Sequence, residues 1–78
     1  SREECHFFNG TQRIHLLNRY FLDRQELAYF DSDRGKFVAV AELGEPEVKA
    51  WNQDKDILRR NMADVDRFCW VSYEIVDP

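Results

Sequence analysis

The chain changes its hydrophobic pattern once, at Gly44-Glu45-Pro46, and this change limits the folds open to it. Before this point, short stretches of β-favouring residues alternate with turn residues such as Asn9-Gly10, which indicates strands joined by tight turns. After it, apolar residues recur at separations of three, four or seven, the period of a helix. Because Pro46 suits a first helical turn and neither Gly nor Pro returns before Pro78, the second half predicts one long helix.

The strand-like half predicts four strands, at about residues 3 to 8, 13 to 22, 27 to 30 and 36 to 42. Their short connections favour an antiparallel meander. The helix is predicted at about residues 46 to 76, with a kink where Asn52, Asp54 and Asp56 lower the local helix propensity. The predicted class is therefore α+β. A four-stranded antiparallel sheet over about residues 3 to 43 precedes one long, kinked helix, in a single domain over residues 1 to 78.

The charge and hydropathy of the chain exclude two classes of protein. With 11 basic and 15 acidic side chains, the 78 residues carry a net charge of -4, the wrong sign for a nucleic-acid-binding protein. No run of about eighteen apolar residues is present that could cross a bilayer. No charged-then-apolar leader opens the chain, so we expect a mature piece or a fragment of a longer protein.

The two cysteines, Cys5 and Cys69, are separated by 64 residues. They have neither the spacing of a redox pair nor the His and Cys neighbours of a zinc site, so a disulfide is the preferred interpretation and two free thiols are the alternative. Closing so long a loop stabilises a fold by about 4 kcal/mol in the chain-entropy model. Asn9-Gly10-Thr11 fits the acceptor pattern for an N-linked sugar, and both features are typical of an oxidising compartment.

The sequence gives little support for a catalytic or metal-binding motif. We therefore expect no enzymatic activity, no cofactor and no metal. His6 and His15 lack metal-ligand spacing, and the three glycines are too scattered for a phosphate-binding loop. Residues 31 to 35 resemble a calcium loop, but the glycine such a loop requires falls on Lys36, so a turn capped by its own aspartates is preferred. For Arg59-Arg60, a solvated helix face explains the pair better than a phosphate clamp.

One helix is too narrow to cover the predicted sheet. Four strands about 4.8 Å apart give a width of about 19 Å, whereas a helix is about 10 Å across. Part of the sheet face therefore stays open, and the first strand leaves an unpaired edge. We infer half of a larger platform, completed by another chain or another copy. Trp51 lies on the apolar stripe of the helix, where its indole either fills the core or donates its N–H to a bound ligand.

Several motifs stand in the order found in one known family. The chain resembles the membrane-distal domain of class II major histocompatibility complex beta chains, over nearly all of that domain. The motifs that carry the resemblance are Glu4-Cys5-His6-Phe7-Phe8-Asn9-Gly10-Thr11, Arg19-Tyr20, Phe30-Asp31-Ser32-Asp33 with Gly35, Glu42-Leu43-Gly44 with Pro46, Trp51-Asn52, Lys55-Asp56-Ile57-Leu58, Ala63, Val65-Asp66 and Cys69.

The resemblance implies half of an antigen-recognition platform. An alpha chain supplies the mirror half, an extended peptide antigen lies between the two helices, and a T-cell receptor contacts the complex. The resemblance also implies a membrane-anchored full-length chain on the lumenal or extracellular side of cell-surface and endosomal membranes, of which this sequence is an ectodomain part without the anchor.

The same resemblance also implies roles for individual residues. It implies a Cys5 to Cys69 disulfide, a glycosylated Asn9 and a Trp51 indole that donates to the peptide backbone. Glu47 stands where the family often has an aspartate that pairs with an alpha-chain arginine. The other implied peptide-binding residues are Glu3, Leu16, Asn18, Tyr20, Leu27 and Phe37 on the sheet, and Ile57, Arg60, Asn61, Asp64, Arg67, Phe68, Val71, Ser72, Ile75 and Val76 on the helix.

The sequence departs from the family pattern near the end of the helix. Val71 and Ser72 stand where antigen-presenting members carry a His and an Asn that bond the peptide main chain, and Trp70 replaces a usual Arg. Losing two hydrogen bonds of about 0.5 to 1.5 kcal/mol each would weaken peptide binding roughly 10- to 100-fold. The alternative hypothesis is therefore a nonconventional relative that binds no ordinary peptide and acts as an interaction protein.

Overall fold

The computed structural model describes residues 2 to 8 and 13 to 70, and within them the first half of the chain forms an antiparallel sheet. Its four strands pair in the order of the sequence, β1 with β2, β2 with β3 and β3 with β4, as the short connections predict. With the helices that follow, this confirms the α+β class. The strands are β1 (Arg2–Phe8), β2 (Arg13–Leu22), β3 (Gln25–Asp31) and β4 (Lys36–Ala39).

The helical half is divided into two helices, α1 (Glu45–Asn52) and α2 (Lys55–Asp64). The division falls where the sequence predicts a kink. Asp54 takes an extended backbone, and its carboxylate accepts from the N–H groups of Asp56 and Ile57, so it caps α2. A short 3₁₀ turn, Glu42–Gly44, precedes α1, and a π-helical segment, Val65–Trp70, follows α2. The predicted end of the helix, residues 71 to 76, lies outside the described residues.

Two strand ends differ from their predicted positions. β3 starts at Gln25 rather than at about residue 27, because the turn before it needs only Asp23 and Arg24, with φ of 50° and 69°. Positive φ at both central residues is the geometry of a two-residue hairpin turn. β4 ends at Ala39 rather than at about residue 42, because the next two backbone N–H groups both donate to the Leu27 carbonyl, at 2.8 and 3.2 Å.

Gly44 lies against the same Leu27 carbonyl and brings the chain from the sheet into α1. A Cβ placed on Gly44 would be 2.3 Å from the Leu27 oxygen, so no larger residue fits without movement. Leu27 itself stands at a β-bulge, where the register of β2 and β3 shifts between Tyr20 and Phe21. The bulge and the close contact together set the position from which α1 starts across the sheet.

The two faces of the sheet differ in chemistry. The face beneath the helices carries the small core, whose fully or almost fully buried members are Leu16, Ala28, Phe30, Phe37 and Cys69. A disulfide joins Cys5 of β1 to Cys69 of the π-helical segment, with their Cα atoms 5.7 Å apart, which confirms the disulfide interpretation over free thiols. The π-helical segment is thereby held to β1, the first strand of the sheet.

The opposite face of the sheet is charged. Arg19 donates to Glu4 at 3.0 Å and to Glu26 at 2.8 Å. Its hydrogen bond is the main reason that the pKa of Glu4 is lowered from 4.5. Nearby, the His15 imidazole lies 2.7 Å from Asp31, whose carboxylate also accepts from the Asp33 N–H. The turn after β3 is therefore capped by its own aspartate, as predicted.

Candidate functional site

A cavity of about 330 Å³ lies between the sheet and the two helices. Four elements contribute to it: β2, β4, α1 and α2. Every residue that lines it belongs to the set that the resemblance implies for peptide binding, so the fold brings together positions that are distant in sequence. The lining residues are Asn18, Tyr20, Phe37, Trp51, Ile57, Arg60, Asn61 and Asp64.

Local periodicity explains why these side chains converge. Asn18 and Tyr20 are two residues apart on β2 and therefore share a face of the sheet. The four lining residues of α2 follow the spacing of one helix face, at successive separations of three, one and three residues. They are Ile57, Arg60, Asn61 and Asp64.

Aromatic rings form one side of the cavity. The Trp51 ring lies 5.3 Å from the ring of Tyr20 and 5.1 Å from that of Phe37, measured between centroids, and Phe30 packs behind Phe37 at 5.2 Å. Trp51 is half-buried, and its indole N–H has no acceptor among the residues that the structure describes. The indole thus combines a packed ring with an available donor.

Asn52 positions this aromatic side, and the sequence pattern predicts no such role for it. Its Oδ1 accepts from the Phe37 N–H at 2.8 Å, and its Nδ2 donates to the Phe37 carbonyl at 3.1 Å. The end of α1 is therefore fixed to β4 next to Trp51. In the sequence, Asn52 was noted as part of the Trp51-Asn52 family motif and as one of the residues that lower the local helix propensity, but neither observation predicted a contact with β4.

A polar network forms the floor of the cavity and connects the sheet with α2. Asn61 donates to the Ile57 carbonyl at 3.0 Å, which fixes the orientation of its amide. Its Oδ1 can then only accept, and it accepts from Asn18 Nδ2 at 3.0 Å, while the same nitrogen donates to the Tyr20 hydroxyl at 2.9 Å. Asn18 Oδ1 is left enclosed without a hydrogen-bond partner among the described residues.

The carboxyl group of Glu3 on β1 is a neighbour of Asp64, one of the residues of α2 that line the cavity. The pKa of Glu3 is raised above 4.5, first by burial and then by the hydrogen bond and negative charge of Asp64. Asp64 also accepts from Arg67 at 3.0 Å. Burial, together with the charges of Glu3 and Asp64, raises the pKa of Tyr20 above its usual value of 10.0.

Other implied site residues that the structure describes are not among those that line the cavity. Leu16 is 0% exposed and packs in the core, and Leu27 stands at the bulge. Glu47, Arg67 and Phe68 are exposed on the helical half. Their contacts with a peptide stay predictions. Asn9, Val71, Ser72, Ile75 and Val76 lie outside the described residues.

Comparison with known proteins identifies the family. The family of the class II histocompatibility antigen beta domain matches residues 1 to 77. The chain is 50% identical to the human HLA class II histocompatibility antigen DRB1 beta chain over 76 residues, which are 97% of this chain and 29% of that protein. The chain belongs to the class II histocompatibility antigen beta family. Membership confirms the resemblance seen in the motifs.

Other members of the class II beta family match to a similar degree. The human DP beta 1 chain is 52% identical over 77 residues, 99% of this chain and 29% of that protein. The B-L beta chain of Gallus gallus is 49% identical over 75 residues, 96% of this chain and 32% of that protein. The chain thus spans about three tenths of the length of these relatives.

These relatives are named as beta chains of class II histocompatibility antigens. Within residues 2 to 8 and 13 to 70, no helix combines the length and hydrophobicity needed to cross a membrane.

Proposed function

We propose that this domain forms half of a peptide-binding groove and, with an alpha chain, presents extended peptides to T-cell receptors. The observation that carries the proposal is the cavity between the sheet and the two helices, which is lined only by residues implied for peptide contact. The proposal takes residues 1 to 78 as one membrane-distal domain of a longer beta chain.

The free edge of the sheet is evidence for pairing with a partner chain. β1 is the first strand of the sheet, and no strand among the described residues pairs with its outer edge. An edge strand of this kind presents unpaired N–H and C=O groups to which another strand can add. An alpha chain that continues the sheet from β1 would widen the floor and place a second helix opposite α1 and α2.

Two side chains of α1 support a binding mode in which the peptide is held through its main chain. Trp51 offers an indole N–H at the cavity, where an extended peptide main chain supplies carbonyl acceptors. Glu47 is exposed and forms no ion pair within the described part of the chain, so its carboxylate is available to an alpha-chain arginine. Main-chain contacts of this type hold peptides of different sequence, because every peptide has the same backbone.

The cellular setting follows from the same proposal. The full-length chain is anchored in cell-surface and endosomal membranes, with this domain on the lumenal or extracellular side. The disulfide between Cys5 and Cys69 supports an oxidising compartment. Asn9 is the proposed attachment site for an N-linked sugar.

The second candidate function is that of a nonconventional relative without a peptide, which acts as an interaction protein. It is supported by Val71 and Ser72, which replace two side chains that bond the peptide main chain in antigen-presenting members. Trp70, in place of a usual Arg, adds to this departure.

One experiment separates the two functions. The beta ectodomain that contains this domain is co-expressed with a class II alpha chain, and the purified heterodimer is acid-eluted for mass spectrometry. Stoichiometric peptides of mixed sequence are expected if the groove presents antigens. A stable heterodimer that releases no peptide would instead support the interaction protein, and the alpha chain expressed alone serves as the background control.

A further inference from the structure

We infer that Asn52 closes the outer edge of β4 to strand addition, so that β1 is the edge at which another chain can extend the sheet. The occupant that Asn52 keeps out is β4 of a second copy of this chain. This role goes beyond the proposed function, which concerns the cavity and an alpha chain at β1.

A sheet with the strand order β1-β2-β3-β4 has two edge strands, β1 and β4. An edge strand presents backbone N–H and C=O groups that can pair with another chain. Two copies of the same edge are complementary to each other when a two-fold axis relates them. If both edges were open, β4 could therefore pair with β4 of a second copy while β1 pairs with a partner. An assembly of defined size needs one of these edges to be closed.

The hydrogen bonds of β4 show which of its main-chain groups point outward. In an antiparallel pair of strands, residues that bond the facing strand alternate with residues whose N–H and C=O point away from it. Phe37 bonds the Asn52 side chain with both of its groups, so it belongs to the outward-pointing set. Ala39, two positions further along the four-residue strand, belongs to the same set. The outer edge of β4 therefore consists of the groups of these two residues.

Asn52 occupies the first of the two positions, because its side-chain amide bonds both main-chain groups of Phe37, at 2.8 and 3.1 Å. The edge does not continue beyond Ala39, since the next two backbone N–H groups turn back to the Leu27 carbonyl. In the described part of the chain, an incoming strand would thus meet the outward groups of Ala39 alone. One residue is too short for a β ladder.

The neighbours of Asn52 hold its amide against β4. Asn52 is the last residue of α1, and Asp54 takes an extended backbone just after it, so the helix ends beside the strand. The ring of Trp51 packs 5.1 Å from the ring of Phe37, measured between centroids. Asn52 itself is half-buried. Its amide is therefore in place before any other chain arrives.

The test compares the heterodimer of the beta ectodomain and an alpha chain, as wild type and as Asn52→Ala, by sedimentation velocity at increasing concentration. We expect the wild type to remain a single heterodimer. Asn52→Ala should associate in pairs, with a self-association Kd at least about tenfold lower, because the freed Phe37 groups can bond a second copy.

Hydrogen exchange of the Phe37 amide locates the contact. In the wild type, the Asn52 side chain should protect this amide at every concentration. In Asn52→Ala, the amide should be protected only at concentrations where the heterodimers associate. Asn52→Leu keeps a side chain of similar volume without an amide, and it should behave as Asn52→Ala does. It therefore decides the question if Asn52→Ala does not fold.

Two further variants keep the test specific. Gln53→Ala changes an exposed neighbour and should sediment as the wild type does. Ala39→Pro, added to either Asn52 variant, removes the other outward N–H of β4, and proline is tolerated on an edge strand. The added proline should return the associated pairs to single heterodimers. Circular dichroism checks that each variant is folded.

The outcomes distinguish this inference from the proposed function. Folded Asn52 variants that sediment as the wild type does at every concentration would overturn the inference, and so would association that survives Ala39→Pro. Neither result would affect peptide binding by the heterodimer. If no heterodimer forms, the proposed function is wrong. The same variants of the beta ectodomain alone then decide the inference, since loss of the Asn52 amide should still increase association that Ala39→Pro reverses.

Discussion

Asn52 pairs with both main-chain groups of Phe37, accepting from its N–H at 2.8 Å and donating to its carbonyl at 3.1 Å. The side-chain amide of Asn52, at the end of α1, thus forms the same pair of hydrogen bonds with β4 that a residue of a neighbouring strand would form. Because Trp51 precedes Asn52 and contacts the Phe37 ring, this pair fixes the aromatic side of the cavity relative to the sheet.

Replacing Asn52 by Ala should destabilise the domain by about 1 to 3 kcal/mol, because it removes two part-buried hydrogen bonds and leaves Phe37 main-chain groups unpaired. Urea unfolding of the heterodimer measures the loss, and peptide dissociation should accelerate as Trp51 loses its fixed position. Gln53→Ala, an exposed neighbour, is the matched control. Equal stability of both variants would show that the pairing contributes little.

Trp51→Phe should keep most of the ring packing while removing the indole N–H. If the indole donates to a bound peptide, loss of this hydrogen bond costs about 0.5 to 1.5 kcal/mol and speeds peptide dissociation about two- to tenfold. Fluorescence polarisation of a labelled peptide measures the rate, with urea unfolding of the peptide-free heterodimer as the control for packing. An unchanged dissociation rate would remove Trp51 from the proposed main-chain contacts.

Gly44→Ala should be among the more damaging single changes in the described chain. The new Cβ would lie 2.3 Å from the Leu27 oxygen, so the loop into α1 must move, at a cost of about 1 to 3 kcal/mol. Gly35→Ala is the comparison, because Gly35 has φ of 70° but no atom within 4 Å of an added Cβ. It should cost about 1 to 2 kcal/mol from backbone strain alone. Thermal unfolding of both variants checks the order, and a milder effect at Gly44 would contradict it.

Glu3 and Glu4 are neighbours on β1, but their carboxyl groups should influence stability in opposite directions with pH. The folded state raises the pKa of Glu3 above 4.5. The stabilising contribution of Glu3 to folding is therefore complete below pH 4.5 and is lost as the pH rises through the pKa of the folded state. The folded state lowers the pKa of Glu4, so its contribution is present above 4.5 and is lost as pH falls through the folded value.

The corresponding variants act as each other's control. Glu3→Gln should flatten the decline of melting temperature with rising pH above 4.5, because a neutral amide cannot ionise beside Asp64. Glu4→Gln should lower stability at neutral pH, because Arg19 loses one of its two carboxylate partners. Melting temperatures from about pH 4 to about pH 8 test both expectations. Parallel pH profiles for the two variants would contradict the opposite shifts.

Short-range signals in the sequence determined the class of fold. The β-favouring stretches and turn residues predicted four strands, and the helical period after Pro46 predicted the helical half. Asp54 marked the division between α1 and α2, since a capping side chain acts on backbone groups two and three residues away. The resemblance to the family implied a set of peptide-binding residues, eight of which line the cavity, and their contacts with a peptide stay predictions.

Tertiary structure alone decided where strands end and which polar groups meet. β4 ends at Ala39 because the Leu27 carbonyl accepts hydrogen bonds from the next two backbone N–H groups. Asn18 donates a hydrogen bond to Asn61, which is 43 residues away in the sequence. Burial and neighbouring charge give Glu3 and Glu4 opposite pKa shifts. The physical reason is the separation along the chain over which each kind of interaction acts. Periodicity and capping depend on backbone sterics within a few residues, whereas these contacts exist only after the chain has brought distant segments together.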